Sequence, residues 1–317
     1  MFAAGELFGT AVCKPGKTSG TNSAEFFKYI IAVFIGGALY GTMSSFVKLA
    51  NASGFCTAQV AFFQALFAAF ILWGLTCFFG AAKNAKISPR EIAETLFAGC
   101  AIGMANLLYY RSLKYISASV AVVILMQFTW FVILLEFAVF GRRPSLAEHL
   151  VVFVLLCATV LASGAFSIRH SEFSFNGIII ALLGTLSYAV YVVANGHINT
   201  SRSWLLKSAL IMTGSSIAIF VAGFNQIAGS FNFSASFLPW GIGFAVFGTT
   251  IPTALFSLGI PKIGACLSSI LMTVELPVAV ICARFILGEQ IDILQTCGIA
   301  LMFFAIIFIN YYRSKRI

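Results

Sequence analysis

The sequence predicts an all-α polytopic membrane protein, with ten transmembrane helices arranged as two inverted five-helix repeats. Three observations carry that expectation. The 317 residues are 60% hydrophobic and only 9% charged, with a mean hydropathy of +0.99, whereas a soluble domain carries about 25% charged residues. The charges are clumped, because no Asp, Glu, Lys or Arg falls within residues 49–82 or 208–261. The second run is 54 residues long, enough for two spans of ~20 residues with a loop between them. Finally, one apolar stretch that carries a charge, 271–290, has a weaker copy at 125–142.

The segments follow in order. Apolar runs long enough to cross ~30 Å of hydrocarbon lie at 27–49, 58–79, 92–113, 118–140 and 146–166. After a polar link they continue at 176–196, 204–224, 237–258, 264–287 and 291–312. The connections are short, so neighbouring helices pack as antiparallel hairpins. With the N-terminus inside, only Lys48, Arg111, Lys114 and Arg169 fall outside and Arg284 falls within a span, which leaves fourteen of the nineteen basic residues inside. The positive-inside rule then places both termini in the cytoplasm of a cell inner (plasma) membrane protein.

The fourth segment reads SVAVVILMQFTWFVILLEFAVFGRR and the ninth ACLSSILMTVELPVAVICARFILGEQ. Leu125-Met126 matches Leu271-Met272 at an offset of 146, Gly141 matches Gly288 at 147, and Ser112-Leu113 matches Ser257-Leu258 at 145. A steady offset with small slips is the mark of a diverged duplication. Five spans per copy is an odd number, so the copies lie in opposite orientations. The organisation expected is a cytoplasmic tail over 1–26, repeats over 27–166 and 176–312, and a basic cytoplasmic end over 313–317. Residues 1–25 lack a basic stretch followed by an apolar core and are read as a polar tail.

Other classes fit poorly. The formal charge of +9 is spread over span ends, and its Lys and Arg are not interleaved with aromatics as nucleic-acid binding requires. The eight cysteines show no metal-ligand spacing, and most fall in spans, where Cys behaves as a small hydrophobe. Residues 11–18, AVCKPGKT, fit a relaxed phosphate-loop pattern. That chemistry needs a strand, a helix and a carboxylate for magnesium, and Asp292 is the only aspartate of the chain. His149, His170 and His197 are scattered over termini and loops. No cofactor, metal or enzymatic activity is expected.

Ten spans in two five-helix copies, with Glu275-Leu276-Pro277 and Leu287-Gly288-Glu289 in the ninth, resemble the drug/metabolite transporter superfamily and its EamA-type members. The first copy departs, with Trp130-Phe131 where the proline falls and Phe140-Gly141-Arg142 at the turn. The resemblance implies a basket of helices around a central cavity lined by helices 1, 3, 4, 6, 8 and 9, with alternating access between the halves. It further implies a secondary active or facilitative transporter of small metabolites, with export of an amino acid or related compound as the first reading. Import or exchange is the alternative within the superfamily. A lipid-handling membrane protein is the alternative from another class, and it predicts a lateral opening lined by apolar residues.

Glu275 is the sharpest candidate, because a carboxylate within a span must be protonated, paired or wet. It would carry a coupling proton or bind a cationic group of the substrate; a structural interhelix hydrogen bond is the plainer role. Arg284, nine residues on, falls half a turn away at roughly 100° per residue and is not its same-face partner. Pro252 and Pro277 each remove a backbone donor and are helix-break candidates. The polar and aromatic cavity candidates are Tyr40, Asn106, Tyr110, Gln127, Trp130, Ser187, Tyr188, Tyr191 and Thr250. Gly37/Gly41 and Gly99/Gly103 read as small-residue ridges for close helix contact. Glu136 is expected to pair with Arg142 or Arg143. The partners expected are a small-molecule metabolite, the lipid bilayer and protons as coupling ion.

Overall fold

A computed structural model describes residues 23–52, 57–80, 88–116, 118–142, 144–162, 174–198, 203–229, 241–288 and 291–314. The expectations for the phosphate-loop-like segment, Arg143, His170, Arg169 and Glu289 lie outside these residues. Within them the chain is helical without strands. The helices are α1 (Ser23–Ala52), α2 (Thr57–Phe78), α3 (Pro89–Ser112), α4 (Ala118–Leu125), α5 (Phe128–Phe140), α6 (Leu146–Ala162), α7 (Phe175–His197) and α8 (Trp204–Gly229). A π segment, Phe244–Thr250, runs into α9 (Ile251–Ile263), followed by α10 (Ala265–Met272), α11 (Glu275–Leu287) and α12 (Ile293–Ser314).

Eight spans among the described residues are long and apolar enough to cross a membrane, the joined α4/α5 and α10/α11 counting as one each. The apolar parts of α6 and α12, Leu146–Ala162 and Ile293–Ile309, are shorter. Phe70, Phe153, Phe285 and Phe304 turn outward and are more than 60% exposed, as expected of side chains that meet lipid rather than water.

The two halves of the chain interlock. α3 packs on α7 and α8, α1 on α9, α10 and α11, and α6 on α12. The expected ridges explain how closely they approach. A Cβ at Gly99 or Gly103 would run into the backbone of Ile211 or Ser215 on α8, and one at Gly41 into the carbonyl of Glu275. Only glycine admits backbones that near.

Two helices break near their middle, and the breaks share one register. α4 and α10 are eight residues each, α5 and α11 thirteen, and both long pieces end on a left-handed glycine, Gly141 (φ 67°) and Gly288 (φ 71°). Starts and caps lie 147 residues apart throughout (118 and 265, 128 and 275, 141 and 288). This corrects the alignment at 146: Phe128 stands where Glu275 does, and Trp130 where Pro277 does.

At each break the backbone tightens from i−4 to i−3 bonding. Gln127 N–H reaches the Ile124 carbonyl at 3.0 Å, and Val274 N–H the Leu271 carbonyl at 3.2 Å. Pro277 leaves no stranded carbonyl, because Thr273 O accepts from Leu276 N–H at 3.2 Å. The first break forms with no proline at all. Hydroxyls of Thr129 and Thr273 bond back to the Met126 and Ile270 carbonyls at 3.2 and 2.7 Å and complete the turns. Pro252 follows the π segment directly, at the second residue of α9.

Candidate functional site

α1 brings Tyr40, Gly41 and Met43 to one cavity, and α3 brings Ala105, Asn106, Tyr109 and Tyr110. The broken helices add Val122, Leu125, Met126, Glu275, Leu276 and Ala279, and α7 adds Tyr188. The volume is about 60 Å³, enough for a few waters, since one needs roughly 10–15 Å³ by this measure.

Glu275 is 9% exposed, its Oε2 has no hydrogen-bond partner, and no basic side chain among the described residues pairs with it. Tyr188 sits against it in the same cavity, its hydroxyl near enough to interact with the carboxyl but in no hydrogen bond of normal geometry. A buried carboxylate oxygen and a buried hydroxyl left open towards one cavity cost free energy unless something polar enters between them. The surrounding groups are already committed. Tyr40 donates to Asn106 Oδ1 at 2.7 Å, and its ring stacks on Tyr188 with centroids 6.4 Å apart and planes 19° apart. Phe128 closes the other side of Tyr188 at 4.8 Å.

Of the sequence candidates, Tyr40, Asn106, Tyr110, Tyr188 and Glu275 line the cavity together. The others stand elsewhere. Gln127 is used by the first break, donating to the Val123 carbonyl at 3.1 Å and accepting from Trp130 Nε1 at 2.7 Å. Trp130 also stacks on Phe131. Tyr191 lies behind Tyr188, parallel to it, and accepts from Asn195. Ser187 is half-buried outside the lining. Thr250 ends the π segment with its hydroxyl unpartnered. Tyr109, which shares helix 3 with Asn106 and Tyr110, joins them, and Gly41, Met43, Ala105, Val122, Leu125, Met126, Leu276 and Ala279 complete the wall without having been chosen from the sequence. An apolar groove of about 460 Å³ lies on the other side of Met43, between Leu39, Thr42 and Phe46 of α1 and Gly243, Phe244 and Phe247.

A second polar cluster lies where the ends of α5 and α7 meet the starts of α6 and α10. Glu136 accepts from His197 Nε2 at 2.8 Å, and its other oxygen lies 3.7 Å from Arg142 Nη1. Arg142 Nη2 reaches Glu148 at 3.4 Å, while Glu148 also takes the Ser145 N–H at 2.8 Å and so caps α6. The His197 ring stacks flat on Phe140 with centroids 3.6 Å apart, and the guanidinium lies against Gly264. Of the two partners expected for Glu136, Arg142 is the one found beside it, Arg143 lying outside the described residues; His197 enters as a further partner that sequence spacing did not suggest. Nearby, Lys207 is buried and donates to the Asn195 carbonyl at 2.7 Å and to Ile198 O at 3.4 Å, capping the end of α7. This placement gives the last carbonyls of α7 a side-chain donor.

Apolar helices that enclose a small chamber, with a buried carboxylate and several tyrosines in its lining, are the construction of a membrane transport protein. The chain belongs to the EamA-like transporter family, whose pattern matches residues 27–164 and 175–311. It is 23% identical over 295 residues to the uncharacterised transporter YcbK of Bacillus subtilis (strain 168), across 90% of this chain and 93% of that one. The threonine/homoserine exporter RhtA of Salmonella typhimurium (strain LT2) is 28% identical over 219 residues, covering 68% of this chain and 70% of its own. A solved crystal structure shares the fold with a TM-score of 0.70 at 13% identity, over 90% of this chain and 98% of that one.

Proposed function

We propose that this multi-pass membrane protein is a secondary transporter that exports a small organic metabolite, an amino acid or related compound. It works by alternating access between two inverted five-helix repeats, residues 27–166 and 176–312. The basic end, with both termini and Arg142, faces the cytoplasm of the inner membrane. The equal lengths and shared register of the two broken helices support the duplication, and the distribution of Lys and Arg supports the orientation. The observation that carries the reading is Glu275, buried and unpaired beside Tyr188 in a cavity bounded by helices of both copies.

In this mechanism the Glu275 carboxyl carries a coupling proton, and the amino group of the substrate displaces it when both reach the same chamber. Tyr40, Tyr110 and Asn106 give the polar and aromatic wall, and Met126, Leu276 and Ala279 the apolar floor. The name of the exporter relative directs the first choice of solute. The purified chain in vesicles is loaded with labelled threonine, homoserine, other amino acids, nucleosides and amines, and efflux is followed under a proton gradient. Movement of one class supports the reading; a failure of every solute to move sinks it. Glu275→Gln should keep the fold and lose the proton-driven component, and unchanged coupling would return Glu275 to a structural role. Import or exchange predicts uptake against the same gradient. Lipid handling gains its one point of support from the apolar groove beyond Met43 and predicts movement of a labelled lipid between leaflets.

A further inference from the structure

We propose that Glu136, Arg142, Glu148 and His197 form an ionic latch that holds the cytoplasmic end of the cavity shut and parts when the cavity turns to the cytoplasm. The assignment rests on the transport reading and on the orientation given with it.

The first argument is position. Glu136, Arg142 and Glu148 belong to α5, the residue after its glycine cap, and α6 in the first half of the chain, while His197 and Gly264 belong to the second. The Glu136–His197 bond and the Phe140–His197 stack therefore tie together the two bodies that alternating access must separate. Between this cluster and the cavity the chain is closed, because all eight residues of α10 are buried and Phe128 fills the space beside Tyr188.

The second argument is energetic. Glu136 and Glu148 are buried, and taking charges out of water costs about as much as their pairing returns. Such a network adds little to stability while it is closed. When the two parts separate, water hydrates each charge and replaces the lost pairing. Closed and open forms then lie near each other in free energy, as a gate requires, whereas an apolar seal of the same area would have no such compensation on opening.

The third argument is asymmetry. At the corresponding end of α11, Ala283 stands 147 residues after Glu136, and Arg284, Phe285 and Ile286 are at least partly out towards the surroundings. The cavity also lies towards this end, reaching Tyr109 and Tyr110 near the end of α3 and Val122 within α4. The carboxylate that anchors one end is not repeated at the matching position of the other.

Cys266, 2% exposed and within electrostatic reach of Arg142 and Glu136, reports on the latch. The full chain is prepared with Cys266 as its single cysteine, the other seven of the eight replaced by Ser. It is placed in inside-out and right-side-out vesicles and treated with a membrane-impermeant maleimide. The parent should label slowly from either face. Arg142→Gln should speed labelling from the cytoplasmic face by about tenfold or more, since removing one member of a buried pair shifts such an equilibrium strongly. Arg142→Lys, which keeps the charge, should stay near the parent rate. A folded Arg142→Gln that labels no faster than the parent overturns the latch. If that variant fails to fold, His197→Ala is read by the same two outcomes. Acceleration only from the opposite face overturns the cytoplasmic placement. The two readings separate cleanly: if no solute moves in vesicles yet Arg142→Gln still exposes Cys266, the transport reading falls and the gate stands.

Discussion

Phe128 and Glu275 occupy the same position in two broken helices, and both lie against the ring of Tyr188. The backbone around them is alike in arm lengths, in the i−3 tightening and in the glycine caps. The chemistry is not. The first copy fills the position with a fully buried ring and spends its polar residues locally, Gln127 on Trp130 and Val123. The second places a carboxylate there, in the lining of the cavity, with one oxygen in no hydrogen bond. The difference teaches that the break and the charge are separate inventions. A helix can be hinged without proline and without charge, and in the proposed transport cycle the coupling group enters where one of two equivalent hinges carries an ionisable residue.

The comparison can be broken most severely by Phe128→Glu. A second carboxylate would enter a position with no open cavity of its own, at a cost of about 2.5–3.5 kcal/mol. Loss of the monodisperse peak in gel filtration is expected, and a well-folded variant would show that the first hinge is as wet as the second. Gly41→Val tests the other side of the second hinge. Its side chain would meet the Glu275 backbone, so a loss of about 1–3 kcal/mol is expected in a thermal melt. Gln127→Leu should cost about 0.5–1.5 kcal/mol by leaving the Trp130 N–H unpaired; an unchanged melting temperature would remove Gln127 from the account of the first break. The smallest effect belongs to Pro277→Ala. Because the first break stands without proline, the second should persist, with a melting midpoint within about 2 °C of the parent. A larger change would mean that the two hinges are held by different forces.

The helices were legible because an apolar run needs no knowledge of its neighbours. The eight long spans, the glycine ridges and the placement of Glu275 within a span all follow from composition and local spacing. The wall of the cavity was only half legible. Tyr40, Asn106, Tyr110 and Tyr188 carry chemistry that marks them, but Gly41 and Ala105 line the space by being small, which no motif announces. Gln127 and Trp130 looked equally suitable, and the break that consumes them turns the helix out of the regular 3.6-residue period on which face assignments depend. The π segment before Thr250 does the same. The bond between Glu136 and His197 spans 61 residues and two helix ends, so nothing local signalled it.

The unequal arms of the broken helices have a mechanical consequence. The thirteen residues of α5 make a lever of about 20 Å, against ~12 Å for the eight of α4, at 1.5 Å of rise per residue. A turn of about 10° at the hinge would carry the tip of the longer lever through roughly 3.5 Å. That tip is Gly141, with Arg142 next to it and its guanidinium 3.7 and 3.4 Å from its two carboxylates. A rotation small enough to leave Phe128 in contact with Tyr188 is therefore large enough, at the end of the arm, to carry an ion pair out of reach.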